Sequence, residues 1–393
     1  MNPPKFLLAL LAALSVITPA AAGETSPSSP YGRWKNGPPR DDSFFPIAVW
    51  LQNPNKAKAY HDAGFNTFVG LWRGPTEEQL AALKSAGLKL ICSQNEVARK
   101  HLDDPTIIAW MHGDEPDNAQ SLGSGKGYGP PILPQKIIDD YQRLRAADPS
   151  RPVLLNLGQG VAWDNYIGRG VRRNHPEDYP EYVKGCDIAS FDIYPVVHPS
   201  PEITGKLWYV PHGVERLLKW AGPERVVWNC IECTRISHPT NKPTPRQVRA
   251  EVWMSLTHGS RGLIYFVHEW KPRFNEAAIL SDPEMLAGIT AINQQITRLA
   301  PVLNSPPLTD AVTVSTENKE LPVAAMARKH GGTTFLFAVG MRDGQTTASF
   351  TLRGLSGDTA VEVIDENRSL QAKDGVFRDR FEPWEVHLYR VKP

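Results

Sequence analysis

The chain has 393 residues, 43 of them Lys or Arg and 42 Asp or Glu, for a formal net charge of +1. With no basic block to meet a phosphate backbone, nucleic acid is excluded as an expected partner. Eleven Trp and eleven Tyr suit a surface that stacks flat apolar ligand faces, although most aromatic residues in any fold go to the core.

Lys5, the apolar run Phe6 to Ile17 and the small residues Ala20-Ala21-Ala22 read as a secretory signal peptide over 1–22, cleaved after Ala22. A secreted or periplasmic protein is implied. The Ser/Pro/Gly-rich stretch 23–43 reads as a flexible leader. No later segment is long and apolar enough for a membrane span.

From residue 44 onward short apolar runs alternate with amphipathic segments. Strand-like runs fall at 44–52, 65–72, 88–94, 106–113, 153–160, 187–195, 226–232 and 262–270. Between them, "TEEQLAALKSAG" offers Thr76 as N-cap, early glutamates and a terminal glycine. "LPQKIIDDYQRLRAADP" spaces its apolar residues by three and four and stops at Pro149. "TPRQVRAEVWMSLTHG" has Thr244 as N-cap and Pro245 at the first helical position, and "DPEMLAGITAINQQITRLAP" closes the series.

Repeated strand–helix units with near-continuous apolar strands predict a parallel sheet covered on both faces. Eight units over 44–304 predict a (β/α)8 TIM barrel, of about 250 residues in its usual form. An open doubly wound sheet is disfavoured, because no G-x-G-x-x-G follows the first run. Residues 305–393 read as short strands punctuated by Gly331-Gly332 and Asp343-Gly344, a small antiparallel β-sandwich.

Cys92, Cys186, Cys230 and Cys233 allow three pairings, which the sequence leaves open. Cys230 and Cys233 form a C-x-x-C on a strand, where an odd separation points them to opposite faces. No second pair follows at zinc spacing and no H-E-x-x-H is present, so no metal or cofactor is expected.

In a barrel of this kind the chemistry sits at the C-terminal strand tips. The fourth run, "TIIAWMHGDEPD", drives an apolar strand into Asp114 and Glu115, with Pro116 ending any further pairing. The fifth ends near Asn156, the sixth in Asp192 and Tyr194, the seventh in Glu232, and the eighth in His268 and Trp270. Two glutamates at tips four and seven would suit glycoside hydrolysis with retention. One protonates the leaving oxygen while the other attacks the anomeric carbon.

On these residues the chain resembles clan A of the glycoside hydrolases, the retaining (β/α)8-barrel β-glycosidases. The likeness covers 44–300, with the sandwich similar to a C-terminal domain many members carry. The resemblance implies Glu115 as acid/base and Glu232 as nucleophile, Tyr194 as the tyrosine that contacts the nucleophile, and Trp270 as the aromatic after strand eight. Asp114 stands where the clan usually has an Asn that binds the sugar 2-hydroxyl. Asp192, Asn156 and His268 are further candidates for binding the carbohydrate. Glu269, Glu96 and Asp192 are rivals for the nucleophile, with Glu269 expected on the opposite strand face from His268 and Trp270. The implied activity is that of an exported glycosidase acting on a poly- or oligosaccharide. The alternative is a glycosidase-like barrel that binds carbohydrate without cleaving it.

Overall fold

The computed structural model describes residues 29–392, so the expected signal peptide lies outside the described residues. The barrel strands are β1 (Ile47–Trp50), β2 (Thr67–Val69), β3 (Lys89–Cys92), β4 (Ile107–Met111), β5 (Val153–Leu157), β6 (Ile188–Phe191), β7 (Val226–Val227), β8 (Asn229–Glu232) and β9 (Leu263–Phe266). All pair in parallel in the order β7-β6-β5-β4-β3-β2-β1-β9-β8. β7 and β8 are two halves of one strand broken at Trp228, so the ladder that opens on β7 closes on β8. Eight strand positions therefore form a closed barrel, as predicted.

The crossovers are α1 (Ala57–Asp62), α2 (Glu77–Ser85), α3 (Glu96–Lys100), α4 (Pro134–Ala147), α5 (Tyr179–Tyr182), α6 (Tyr209–Ala221), α7 (Pro245–Thr257) and α8 (Pro283–Asn304). Thr76 and Thr244 are the N-caps expected, and the structure adds that each closes a capping box, with Gln79 and Gln247. α8 runs through Pro301 and ends at Asn304. The β5–β6 crossover is mostly single 3-10 turns, and α5 spans only four residues.

The leader departs from expectation. Tyr31 and Trp34 are buried, packed with the inward-facing strand residues. The Tyr31 hydroxyl donates to the Arg261 carbonyl at 2.8 Å and accepts from Trp228 Nε1 at 2.8 Å. Residues 29–43 thus form a plug under the N-terminal end of the barrel. The Ser/Pro/Gly composition that suggested flexibility concealed two aromatic anchors. Gly262 lets the Trp228 ring lie against the main chain, since a Cβ there would sit 2.4 Å from the indole.

The C-terminal strands are β10 (Val312–Thr316), β11 (Val323–His330), β12 (Thr333–Gly340), β13 (Thr346–Leu352), β14 (Asp358–Val363), β15 (Arg368–Lys373), β16 (Val376–Phe381) and β17 (Val386–Val391). They pair antiparallel in the order β10-β13-β16-β15-β14-β17-β12-β11. β15 and β16 share a single register pair, Lys373 with Val376, and there the sheet folds into two layers. Phe350 stacks on Phe377 at 4.8 Å between them, and Tyr389 meets Phe377 at 5.1 Å.

The sandwich sits on α7 and α8. Trp253 of α7 packs against Phe337 of β12 at 5.1 Å, and Arg249 donates to the Val386 carbonyl at 2.8 Å. Gln295 and Arg298 of α8 both donate to Asp365, each at 2.8 Å.

Candidate active site

The β4 tip is bent sharply. Glu115 adopts φ +42°, in the left-handed region that non-glycine residues avoid. Its N–H donates to the Asn156 carbonyl at 3.1 Å, and its carbonyl accepts from Asn118 N–H at 3.1 Å. Asp117, fully buried, anchors the turn by accepting from Gly158 N–H at 2.8 Å and the Tyr179 hydroxyl at 2.9 Å.

Asn156, from β5, wires the neighbouring tips together. Its Oδ1 accepts from Ser190 Oγ at 2.7 Å, with Cys230 Sγ at 3.7 Å. Those donors orient the amide so that Nδ2 faces the carboxylates. Nδ2 donates to Asp114 Oδ1 at 2.9 Å and Asp192 Oδ1 at 3.1 Å. The Tyr194 hydroxyl donates to Asp192 Oδ2 at 2.9 Å. The structure thus brings together Asp114, Asn156, Asp192 and Tyr194 from three consecutive tips, with Glu115 in their field.

The electrostatics separates these acids. Enclosure, followed by the charges of Asp192, Asp114 and Asp117, pushes the Glu115 carboxyl well above the usual carboxylate range. Asp114, the most accessible of the set, is raised to about 7 by the walls of the mouth and by Asp192. Burial raises Asp192 too, but donors on Cys230, Asn156 and Tyr194 oppose the shift. All three acids are pushed toward their protonated forms, Glu115 with three carboxylates acting on it and Asp192 with the most donors.

Glu232 does not join them. It is fully buried at the end of β8, where Oε1 accepts from Val196 N–H at 2.6 Å and Oε2 from Val197 N–H at 3.1 Å. Its other neighbour is Glu251 of α7, and Glu115 is absent from the groups that act on it. The sequence-based expectation that Glu232 faces Glu115 across the mouth is therefore corrected: the loop after β6 closes over the β8 tip and takes both oxygens. Main-chain donors of this kind carry no sequence signal.

An aromatic wall rises beside the network. Tyr194 meets Phe266 at 5.3 Å, and Phe266 stacks on Trp270 at 5.5 Å with 14° between planes. His268 and Phe274 lie 5.5 and 6.0 Å from Trp270. Trp270, Phe274 and Trp72 are 45%, 57% and 68% exposed, enough to offer ring faces to a ligand. With Gln52 and His268 they line a cleft of about 540 Å³. A second cleft of about 470 Å³ is lined by Tyr194, Gln159, His198, His238 and Lys271. Burial lowers His268 to about 4, leaving it neutral in ordinary buffers. The sequence reading missed Phe266, which period two along 262–270 places on the face of His268 and Trp270, and Trp72, which closes the run 65–72; Phe274 and Glu251 carried no local signal.

The remaining candidates go elsewhere. Glu269 pairs with Arg235 at 3.5 Å on the other face from Trp270, and Glu96 pairs with Lys100 at 3.2 Å on the surface. All four cysteines are free and buried. Cys230 sits beside Asn156, while Cys233 contacts the Phe266 carbonyl at 3.1 Å. Among the described residues no three His, Cys, Asp or Glu side chains gather as metal ligands, and no helix is long and apolar enough to cross a membrane.

No family model and no curated protein matches the chain. Solved structures do. The α-amylase from Geobacillus thermoleovorans, complexed with acarbose, aligns at a TM-score of 0.56 and 10% identity, over 90% of this chain and 100% of that one. AmyP in complex with maltose aligns at 0.54 and 11% identity, over 90% and 97%. At 10–11% identity the likeness is one of fold alone.

Proposed function

We propose that the protein is a glycoside hydrolase acting on an oligo- or polysaccharide, with Glu115 as proton donor and Asp192 as the carboxylate that attacks. The observation that carries this reading is the different surroundings of the two acids at the tips of β4 and β6, on either side of β5. Burial and the charges of Asp192, Asp114 and Asp117 favour the protonated form of Glu115, while Asp192, itself raised by burial, accepts from Asn156 Nδ2 and the Tyr194 hydroxyl. The Glu115 proton passes to the glycosidic oxygen as its bond to the anomeric carbon breaks, and an Asp192 oxygen bonds that carbon. Water then attacks the anomeric carbon, Glu115 takes a proton from that water, and the bond between that carbon and the Asp192 oxygen breaks, freeing the sugar with retention. Trp270 and Phe274 stack against sugar rings in the larger cleft. Action on β-linked substrates and export after cleavage at Ala22 complete the reading, the first resting on the clan A resemblance of the β4 tip.

Trapping with a 2-fluoro glycoside and peptide mapping tests the assignment. Label on Asp192 supports it; label on Asp114 or Glu232 overturns it. A second reading, a barrel that binds carbohydrate without cleaving it, is favoured by one observation: both Asp192 oxygens already hold donors within the protein. Ligand binding without turnover across α- and β-glycosides, unchanged in Glu115→Gln, would select that reading.

A further inference from the structure

The β4–β6 network leaves one pair of buried acids without a role. Glu232 at the end of β8 and Glu251 on α7 are both fully buried and in contact. Neither Glu251 oxygen has a donor in reach. Two carboxylates have no hydrogen between them, so this contact is a bond only when one of them carries a proton.

The surroundings say which one. Cys233 lies beside both acids and Asp282 acts on Cys233, while no cation acts on either glutamate. A second negative charge in so dry a place is strongly disfavoured. Glu232 has two main-chain N–H groups to stabilise its charge and Glu251 has none, so the proton rests on Glu251.

Those two N–H groups belong to Val196 and Val197, directly after Asp192 and Tyr194. The same segment is held from other sides by Gly205 N–H on the Pro195 carbonyl at 2.9 Å and by Asn241 Nδ2 on the Val196 carbonyl at 3.4 Å. We propose that Glu232 and Glu251 share one proton and act as positioning residues for Asp192 and Tyr194. Protonated Glu251 donates to ionised Glu232, and the two Glu232 oxygens hold the 196–197 main chain in place. The kinetic consequence rests on the glycosidase reading; the geometry does not.

The test combines amide hydrogen exchange at Val196 and Val197 with steady-state kinetics on the full chain. Glu251→Gln keeps a donor toward Glu232, so both amides stay protected and kcat stays near wild type. Glu232→Gln places an amide NH2 against a main-chain N–H. Exchange then quickens at 196–197, and kcat falls about 10- to 100-fold with KM little changed. In the wild type, raising the pH strips the shared proton and quickens exchange at these amides beyond its intrinsic pH dependence; Glu251→Gln abolishes that excess. Unchanged protection in Glu232→Gln, or loss of protection in Glu251→Gln, overturns the proposal. If the exchange pattern holds while no glycoside is turned over, the functional reading fails and the pair stands. Covalent label on Glu232 would mean it is catalytic and would sink the positioning role.

Discussion

At the residue scale, Glu115 combines a strained main chain with a carboxyl that burial and neighbouring carboxylates push well above the usual range. A non-glycine residue in the left-handed region stores about 1–3 kcal/mol and persists where the surroundings over-determine it. Here Pro116, the bond to the Asn156 carbonyl and the anchored Asp117 do so. Glu115→Gln is expected to lower kcat by about 100- to 10,000-fold on substrates with poor leaving groups. The loss should be smaller on aryl glycosides, whose leaving groups need no protonation, and an equal loss on both would contradict the acid role. Asp114→Asn removes a negative charge that raises Glu115, so the Glu115 pKa falls. Because the protonated form is the active one, the alkaline limb of the kcat/KM profile should move to lower pH, which a profile of the variant checks.

Among elements, the plug and the barrel ladder depend on each other. The Tyr31 hydroxyl is the partner of both Trp228 Nε1 and the Arg261 carbonyl where β7 gives way to β8. Tyr31→Phe leaves both groups buried without that partner, at an expected cost of about 1–3 kcal/mol for each group left unsatisfied. Urea denaturation should show a lower midpoint at unchanged slope. The aromatic wall is likewise a property of β9 and its following loop. Trp270→Ala should raise KM for oligosaccharides and leave it nearly unchanged for aryl monosaccharides. Equal effects on both would remove the cleft from the binding site. The strands and capped helices were legible because their signals are local: Thr76 and Thr244 as N-caps, apolar runs at the strands. The β5–β6 crossover was illegible, since single 3-10 turns have no periodicity to read.

Taken as a whole molecule, barrel and sandwich share apolar surface across α7, α8, β11 and β12. Met326, Phe337, Val339 and Leu388 belong to the same buried cluster as the α7 and α8 core. A chain ended after Asn304 would expose Trp253 and its neighbours. It is expected to aggregate or to melt well below the full chain, whereas the full chain should unfold in one cooperative transition. A truncated barrel with an unaltered Tm would show the interface to be dispensable.

The sequence alone determined the eightfold strand–helix repeat, the sandwich behind it and the acidic β4 tip, because periodicity, caps and turn residues act over a few positions. It also placed Asn156, Asp192 and Tyr194 at neighbouring tips. Only the tertiary structure decided which carboxylates meet. Glu232 and Glu115 carried equivalent local signals, yet Glu232 turns to two main-chain N–H groups from a different loop and to an acid on α7. Tyr31 and Trp34, set in a Ser/Pro/Gly-rich stretch, became a plug through a hydroxyl bonded to residues some 200 positions away. Side-chain partners supplied by distant main chain are fixed by packing, and packing is settled only when the whole barrel has closed.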